Sequence, residues 1–236
     1  MITVRKSEER GHADHGWLDS HHSFSFANYY DPKHMGFRSL RVINEDRVAP
    51  GQGFGSHPHR DMEILSYVLS GSLAHKDSMG HEEVLGPNEI QRMSAGTGIR
   101  HSEYNPSPTT PVHFFQIWIE PATFGTPSSY EQFKFDPAEK RDRMKLIASR
   151  EGGNGIATIN QDAKVYVSEI TNGTPLDYAL GENRHAWLHV IKGNIVVNGA
   201  SLKTGDAAAV SNENRLQIAK SGIESEPAEI LLFDLA

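Results

Sequence analysis

Short apolar or alternating runs recur along this chain at residues 39–43, 63–69, 112–119, 164–170, 187–191, 195–197 and 230–234. Runs of this length, closed by Gly, Pro, Asn or Asp, predict strands rather than helices. The intervening Ser70-Gly71, Asp77-Ser78-Met79-Gly80, Gly86-Pro87-Asn88, Asn198-Gly199 and Thr204-Gly205-Asp206 supply the turn chemistry that such strands need. Many short strands at regular spacing indicate an all-β sandwich or barrel, not an alternating α/β sheet. Residues 121–155 break the rhythm with Pro, Ser, Gly and charge; they predict a passage between two domains, with one short helix over 137–145. A faint repeat supports two modules. The segment from Glu63 to Gly71 is a strand running into a glycine turn, and the segment from His185 to Gly193 has the same form. The resulting division is 1–135 and 136–236.

Composition narrows the chemistry. With 236 residues, 37% of them hydrophobic and 22% charged, the chain is long enough to bury two real cores. It contains no cysteine, which excludes disulfides, thiolate metal sites, iron–sulfur clusters and a cysteine nucleophile. A formal charge of −7 argues against direct nucleic-acid binding through phosphate neutralisation. No apolar run reaches the ~18 residues of a membrane helix. The opening MITVRKSEERGH lacks the apolar core of a secretory signal, so the expected compartment is the cytoplasm. Eleven of the 13 histidines lie at or before His113, which places any imidazole chemistry in the first half.

Two clusters carry that chemistry. One runs from Gly51 to Glu63 and contains His57 and His59; the other runs from Ser94 to Asn105 and contains His101 and Glu103. Residues i and i+2 of a strand point to one face, so each pair aims two donors into the same space. Adjacent strands lie about 4.8 Å apart, close enough for two such pairs to converge on one ion. Three imidazoles and a carboxylate suit a divalent transition metal. The opposing reading of a His-x-His is a solvated or hydrogen-bonded pair; the flanking glycines and the second cluster favour a metal.

The spacing Gly51-x5-His57-x-His59-x3-Glu63 resembles the first cupin motif, and Gly96 through His101-x3-Asn105 resembles the second. More narrowly, Arg10-Gly-His-Ala-Asp-His-Gly-Trp-Leu-Asp19, Ser23-Phe-Ser-Phe-Ala-Asn-Tyr-Tyr-Asp-Pro32, His57-Pro-His-Arg-Asp-Met-Glu63 and Met93-Ser-Ala-Gly-Thr-Gly-Ile-Arg-His-Ser-Glu103 resemble the pirin family. The resemblance covers about the first 120 residues; the remainder fits the family's plan without a comparable motif. It implies a bicupin: two β-sandwich barrels packed together, with a few short helices. One metal would sit in the first barrel, held by His57, His59, His101 and Glu103. Many other cupins use the glutamate corresponding to Glu63, so that residue is the rival carboxylate, otherwise a neighbour of the site. The expected ion is Fe(II), with Zn, Ni, Cu, Mn or Co as alternatives. The second barrel would be a degenerate cupin without metal, since no carboxylate accompanies His185 and His189.

Bacterial pirins are associated with quercetin 2,3-dioxygenase activity, and the mammalian member is described as an iron-dependent transcriptional co-regulator. The resemblance therefore implies a monomeric dioxygenase that opens the heterocyclic ring of a flavonol with O2 and releases carbon monoxide, with Glu103 as ligand and candidate base. The alternative is a non-catalytic metal-binding adaptor that acts on a regulatory protein partner. His12, His15, His21 and His22 are expected to pack or hydrogen-bond within the N-terminal segment. His75 and His81 flank a turn and are expected to be solvated. Phe24, Phe26, Tyr29 and Tyr30 are expected in the core or over the barrel mouth.

Overall fold

The computed structural model describes residues 1–171, 175–222 and 225–236. The all-β expectation holds. Among the described residues the only helical segments are two 3-10 turns, Ser7–Glu9 and Pro137–Lys140. None is long and apolar enough to cross a membrane.

The chain forms two compact units. The first comprises 11–135 together with 150–161, and the second comprises 1–10, 136–149 and 162–236. In the first, one antiparallel sheet runs Ser129–Lys134, Glu89–Ser94, Glu63–Ser70, Val112–Ile119, Leu40–Val48, Leu18–His22, Gly11–Asp14. A smaller sheet runs Gly53–His59, Ile99–Tyr104, Leu73–Asp77, Glu82–Leu85. The two sheets face each other across an apolar cluster of Leu18, Val48, Val68, Val112 and Phe114 from the large sheet, and Leu73 and Leu85 from the small one. Full burial of such a side chain contributes about 1.5–3 kcal/mol, so the sandwich is held mainly by this layer.

The second unit repeats the plan. Ile2–Arg5, Ala207–Val210, His185–Lys192, Ala228–Leu235, Ala163–Ile170 and Lys145–Ser149 pair in that order. A four-stranded sheet of Leu176–Ala179, Arg215–Lys220, Asn194–Val197 and Ala200–Lys203 covers them. Leu188, Val190, Ile230 and Leu232 meet Ile195, Val197, Leu216 and Ile218 between the sheets. His189 is buried in the strand His185–Lys192, and His185 Nδ1 lies 2.8 Å from Ser211 Oγ.

Local readings are corrected in the 121–155 stretch. The helix expected over 137–145 is one 3-10 turn, Pro137–Lys140, capped by Asp136, whose side chain accepts from the Ala138 amide at 2.9 Å. Lys145 already begins a strand. Ser129–Lys134 is a strand as well; it lies at the sheet edge and is half-buried, which is why its sequence is too polar to show alternation.

Candidate metal centre and cavity

Strand alternation builds the site. Along Ile99–Tyr104 the buried positions are Ile99, His101 and Glu103, while Arg100 and Tyr104 face solvent. The Gly53–His59 strand pairs with it antiparallel, with His57 opposite His101 and His59 opposite Ile99. A bulge follows: Glu103 stands opposite Phe54, so the Gly53–His59 strand carries an extra residue there. Pro58 is tolerated because its strand is the sheet edge. The approach to Ile99 turns at Gly96, whose φ is +47° and where an added Cβ would lie 2.1 Å from the Thr126 carbonyl oxygen.

This framework brings the His57, His59 and His101 nitrogens within 4.8 Å of one another. Their ring centroids stand 4.5–4.8 Å apart at steep mutual angles, so the rings converge on a common space. His57 Nδ1 lies 2.8 Å from the Gly55 carbonyl oxygen. A carbonyl only accepts, so Nδ1 carries the proton and Nε2 presents its lone pair. His101 is buried, and its Nε2 has no hydrogen-bond partner. Leaving such a group unpaired costs about 1–3 kcal/mol, and a metal ion relieves the cost. Burial, followed by repulsion from neighbouring imidazoles, lowers the His59 pKa to about 4 and that of His101 to about 3. Both rings are therefore neutral at pH 7, as ligation requires. These donors fit a divalent transition metal.

Glu103 belongs to a second grouping around His101, one that does not include His57 or His59. Gln116 Nε2 donates to both of its oxygens, at 3.1 and 2.9 Å, and Ser66 Oγ donates to Oε1 at 3.3 Å. Its carboxylate groups with His101 and His75 within 4.8 Å. Glu63 sits elsewhere: Ser94 Oγ donates to it at 2.6 Å, and burial, opposed by Ser94 and Arg92, raises its pKa.

Beside the histidines opens a cavity of about 480 Å³. His57, His59 and Glu103 form one wall; Leu18, Phe26, Tyr29, Phe54 and Trp118 give it flat apolar faces. Of the aromatic stripe, then, Phe26 and Tyr29 face the cavity, Phe24 is core, and Tyr30 is solvent-exposed. His12, His15 and His22 also line it. His12 stacks on His21 at 4.4 Å and bonds Asp19 at 2.9 Å; His22 Nδ1 lies 2.8 Å from Asn44 Oδ1. One sequence expectation fails outright. His75 is not solvated but fully buried, because the Leu73–Asp77 strand turns it inward beside His101.

The structure adds Asp46, which belongs to neither histidine cluster of the sequence. It lines the cavity, is buried, and accepts a hydrogen bond from Ser20 Oγ. Burial pushes its pKa up to about 7; Ser20 opposes this, while Glu103 and Glu45 reinforce it. A raised acid contributes stability that is fully present below its unfolded pKa near 3.8 and is lost as pH rises through about 7. Asp46→Asn keeps the Ser20 bond and removes the charge. Metal-free Asp46→Asn is therefore expected to melt at least about 3 °C above the parent near pH 8, with the gap narrowing as pH falls and closing only below about pH 4. Equal melting temperatures at both pH values would contradict the shifted carboxyl.

Residues 3–119 match the Pirin family, and residues 146–235 match the quercetinase C-terminal cupin domain family. A quercetin 2,3-dioxygenase of Escherichia coli K12 is 48% identical over all of this chain and 99% of its own length. A pirin-like protein of Caulobacter vibrioides is 40% identical over the whole of both chains. The crystal structure of the bacterial pirin YhhW from Escherichia coli in complex with nickel(II) superposes with a TM-score of 0.93 at 47% identity, covering 100% of this chain and 99% of that one.

Proposed function

Because this chain belongs to the pirin family, we propose that it is a metal-dependent dioxygenase that opens the heterocyclic ring of a flavonol with O2 and releases carbon monoxide. The protein is an oxidoreductase with the bicupin fold. We assign its ligands as His57, His59, His101 and Glu103. The observation that carries the reading is the cavity: a flat-walled space of about 480 Å³, within the range of small-molecule sites, bordered by two of those histidines and the glutamate.

When bound, a divalent transition metal supplies Lewis acidity, which acidifies a ring hydroxyl beside a carbonyl, together with open positions for substrate. The protein's own groups do the rest. Phe26, Tyr29 and Trp118 hold a planar ring system and keep bulk water from it. Gln116 and Ser66 fix the Glu103 carboxylate, which faces the cavity as the proposed acceptor of the hydroxyl proton. Asp46, ionising near neutrality in the same cavity, is the second group able to hold that proton.

The test is turnover of quercetin by metal-reconstituted protein. Loss of the flavonol absorption band is expected to be matched by oxygen uptake and carbon monoxide in equal amounts, and to vanish on metal removal. No carbon monoxide above a metal-only control, across several flavonols, would refute the reading. Fe(II) is the expected working ion, and parallel reconstitution with Ni(II), Mn(II), Co(II), Cu(II) and Zn(II) decides it.

A further inference from the structure

We propose that His75 and Asp77 set the tautomer of His101, so that its metal-binding nitrogen is bare before any ion arrives. The inference rests on the assignment of His101 as a ligand, and deepens it by naming the residues that prepare it.

A line of contacts leads away from the site. His101 Nδ1 lies 3.4 Å from His75 Nδ1, His75 Nε2 lies 3.2 Å from Asp77 Oδ2, and the same oxygen lies 3.0 Å from His81 Nδ1. His75 and Asp77 are fully buried at their side chains, and His81 reaches the surface. The Leu73–Asp77 strand pairs with Ile99–Tyr104, with Asp77 opposite His101 and His75 opposite Glu103. Tyr130 stacks against both imidazoles, at 5.0 Å from His75 and 4.6 Å from His81, and fixes their planes.

The contacts along this line point to one placement of the protons. Burial disfavours an ionised Asp77, but hydrogen bonds from His75, His81 and the amides of His81 and Met79 outweigh it and keep its pKa below the usual value. An ionised carboxylate only accepts, so His75 carries its proton on Nε2. With that proton on Nε2, His75 Nδ1 is the nitrogen left to accept, and we place the proton of the 3.4 Å contact on His101 Nδ1. That leaves His101 Nε2 with the lone pair, and Nε2 is the buried atom without a partner. Metal-bound imidazoles are oriented in this way by the group on their other nitrogen, and removing that group typically costs about 10- to 100-fold in affinity or activity. Here the orienting group is a second histidine, itself oriented by a carboxylate.

The experiment reads the tautomer first, in the metal-free protein. Proton–nitrogen NMR on isotope-labelled protein should show His101 protonated at Nδ1 and bare at Nε2, and His75 the reverse. Finding His101 protonated at Nε2 would overturn the proposal without any variant. Chelator competition with Zn(II) follows. His75→Phe, or His75→Met should the former not fold, is expected to mix the His101 tautomers and weaken Zn(II) binding about 10- to 100-fold. His75→Gln can accept from His101 and donate to Asp77, so it is expected to restore both. Unchanged affinity and tautomer in His75→Phe, or a His75 nitrogen coordinated to Zn(II), would refute the positioning role. Failure of the parent protein to bind Zn(II) would instead strike at the ligand assignment, which separates the two failures.

Discussion

His101→Ala is expected to lower affinity for a divalent transition metal by more than the roughly 10- to 100-fold typical of losing an orienting neighbour. His101 is the pivot of the cluster. It belongs to two groupings of possible ligands, one with His57 and His59 and the other with His75 and Glu103. Removing it leaves the pair on the edge strand Gly53–His59 without its opposite number across the register. The fold should survive, because the first unit's core of Val48, Val68, Leu73, Leu85 and Phe114 does not include it. Metal content after dialysis against a chelator, with a cooperative melting curve as control, checks both halves. Full metal retention at micromolar protein would mean that the proposed site is wrong.

The architecture was legible where local pattern decides it. Val112–Ile119 and Glu63–Ser70 read as strands because β-branched and aromatic residues fill a sheet centre where most positions are buried. Long-range exchange was not legible. Ile2–Arg5 pairs with Ala207–Val210, so the first ten residues belong to the second unit, and 150–161 belong to the first. Nothing within four residues of sequence announces a partner some two hundred positions away.

The same boundary runs through the site. His57, His59, His101 and Glu103 stood out because a two-residue spacing on a strand is itself a statement about direction. Asp46 left a fainter sign. In Leu40–Val48 the inward-facing series continues Leu40, Val42, Asn44, Asp46, Val48, so two polar residues occupy positions whose neighbours are core. Polar residues on an inward strand face mark a lined cavity, and Gln116 within the apolar Val112–Ile119 is a second instance. His75 gave no such sign. Its role comes from a cross-strand contact with His101, and register is set by turns and packing that the single strand does not encode.

The two carboxylates give the sharpest division. Glu103→Gln is expected to abolish flavonol turnover and weaken metal binding, while Glu63→Gln leaves the metal's coordination unchanged. The reason lies in their surroundings. Glu103 lies on the strand of His101, groups with His101 and His75, and borders the cavity. Its oxygens are held by Gln116 and Ser66, so the charge is placed before substrate enters. An amide in its place keeps the shape but loses the anionic donor and any capacity to take a proton. Glu63 instead faces Ser94 and Arg92, and its raised pKa follows from burial in that separate pocket of polar groups. Glu63→Gln preserves the Ser94 bond and removes a partly costly charge, so the folded state should be little affected. X-ray absorption and chelator competition on both variants, beside carbon monoxide release, read the difference. A Glu63 oxygen bonded to the metal, or a Glu103→Gln protein with parental affinity and turnover, would reverse the assignment in favour of the other cupin pattern.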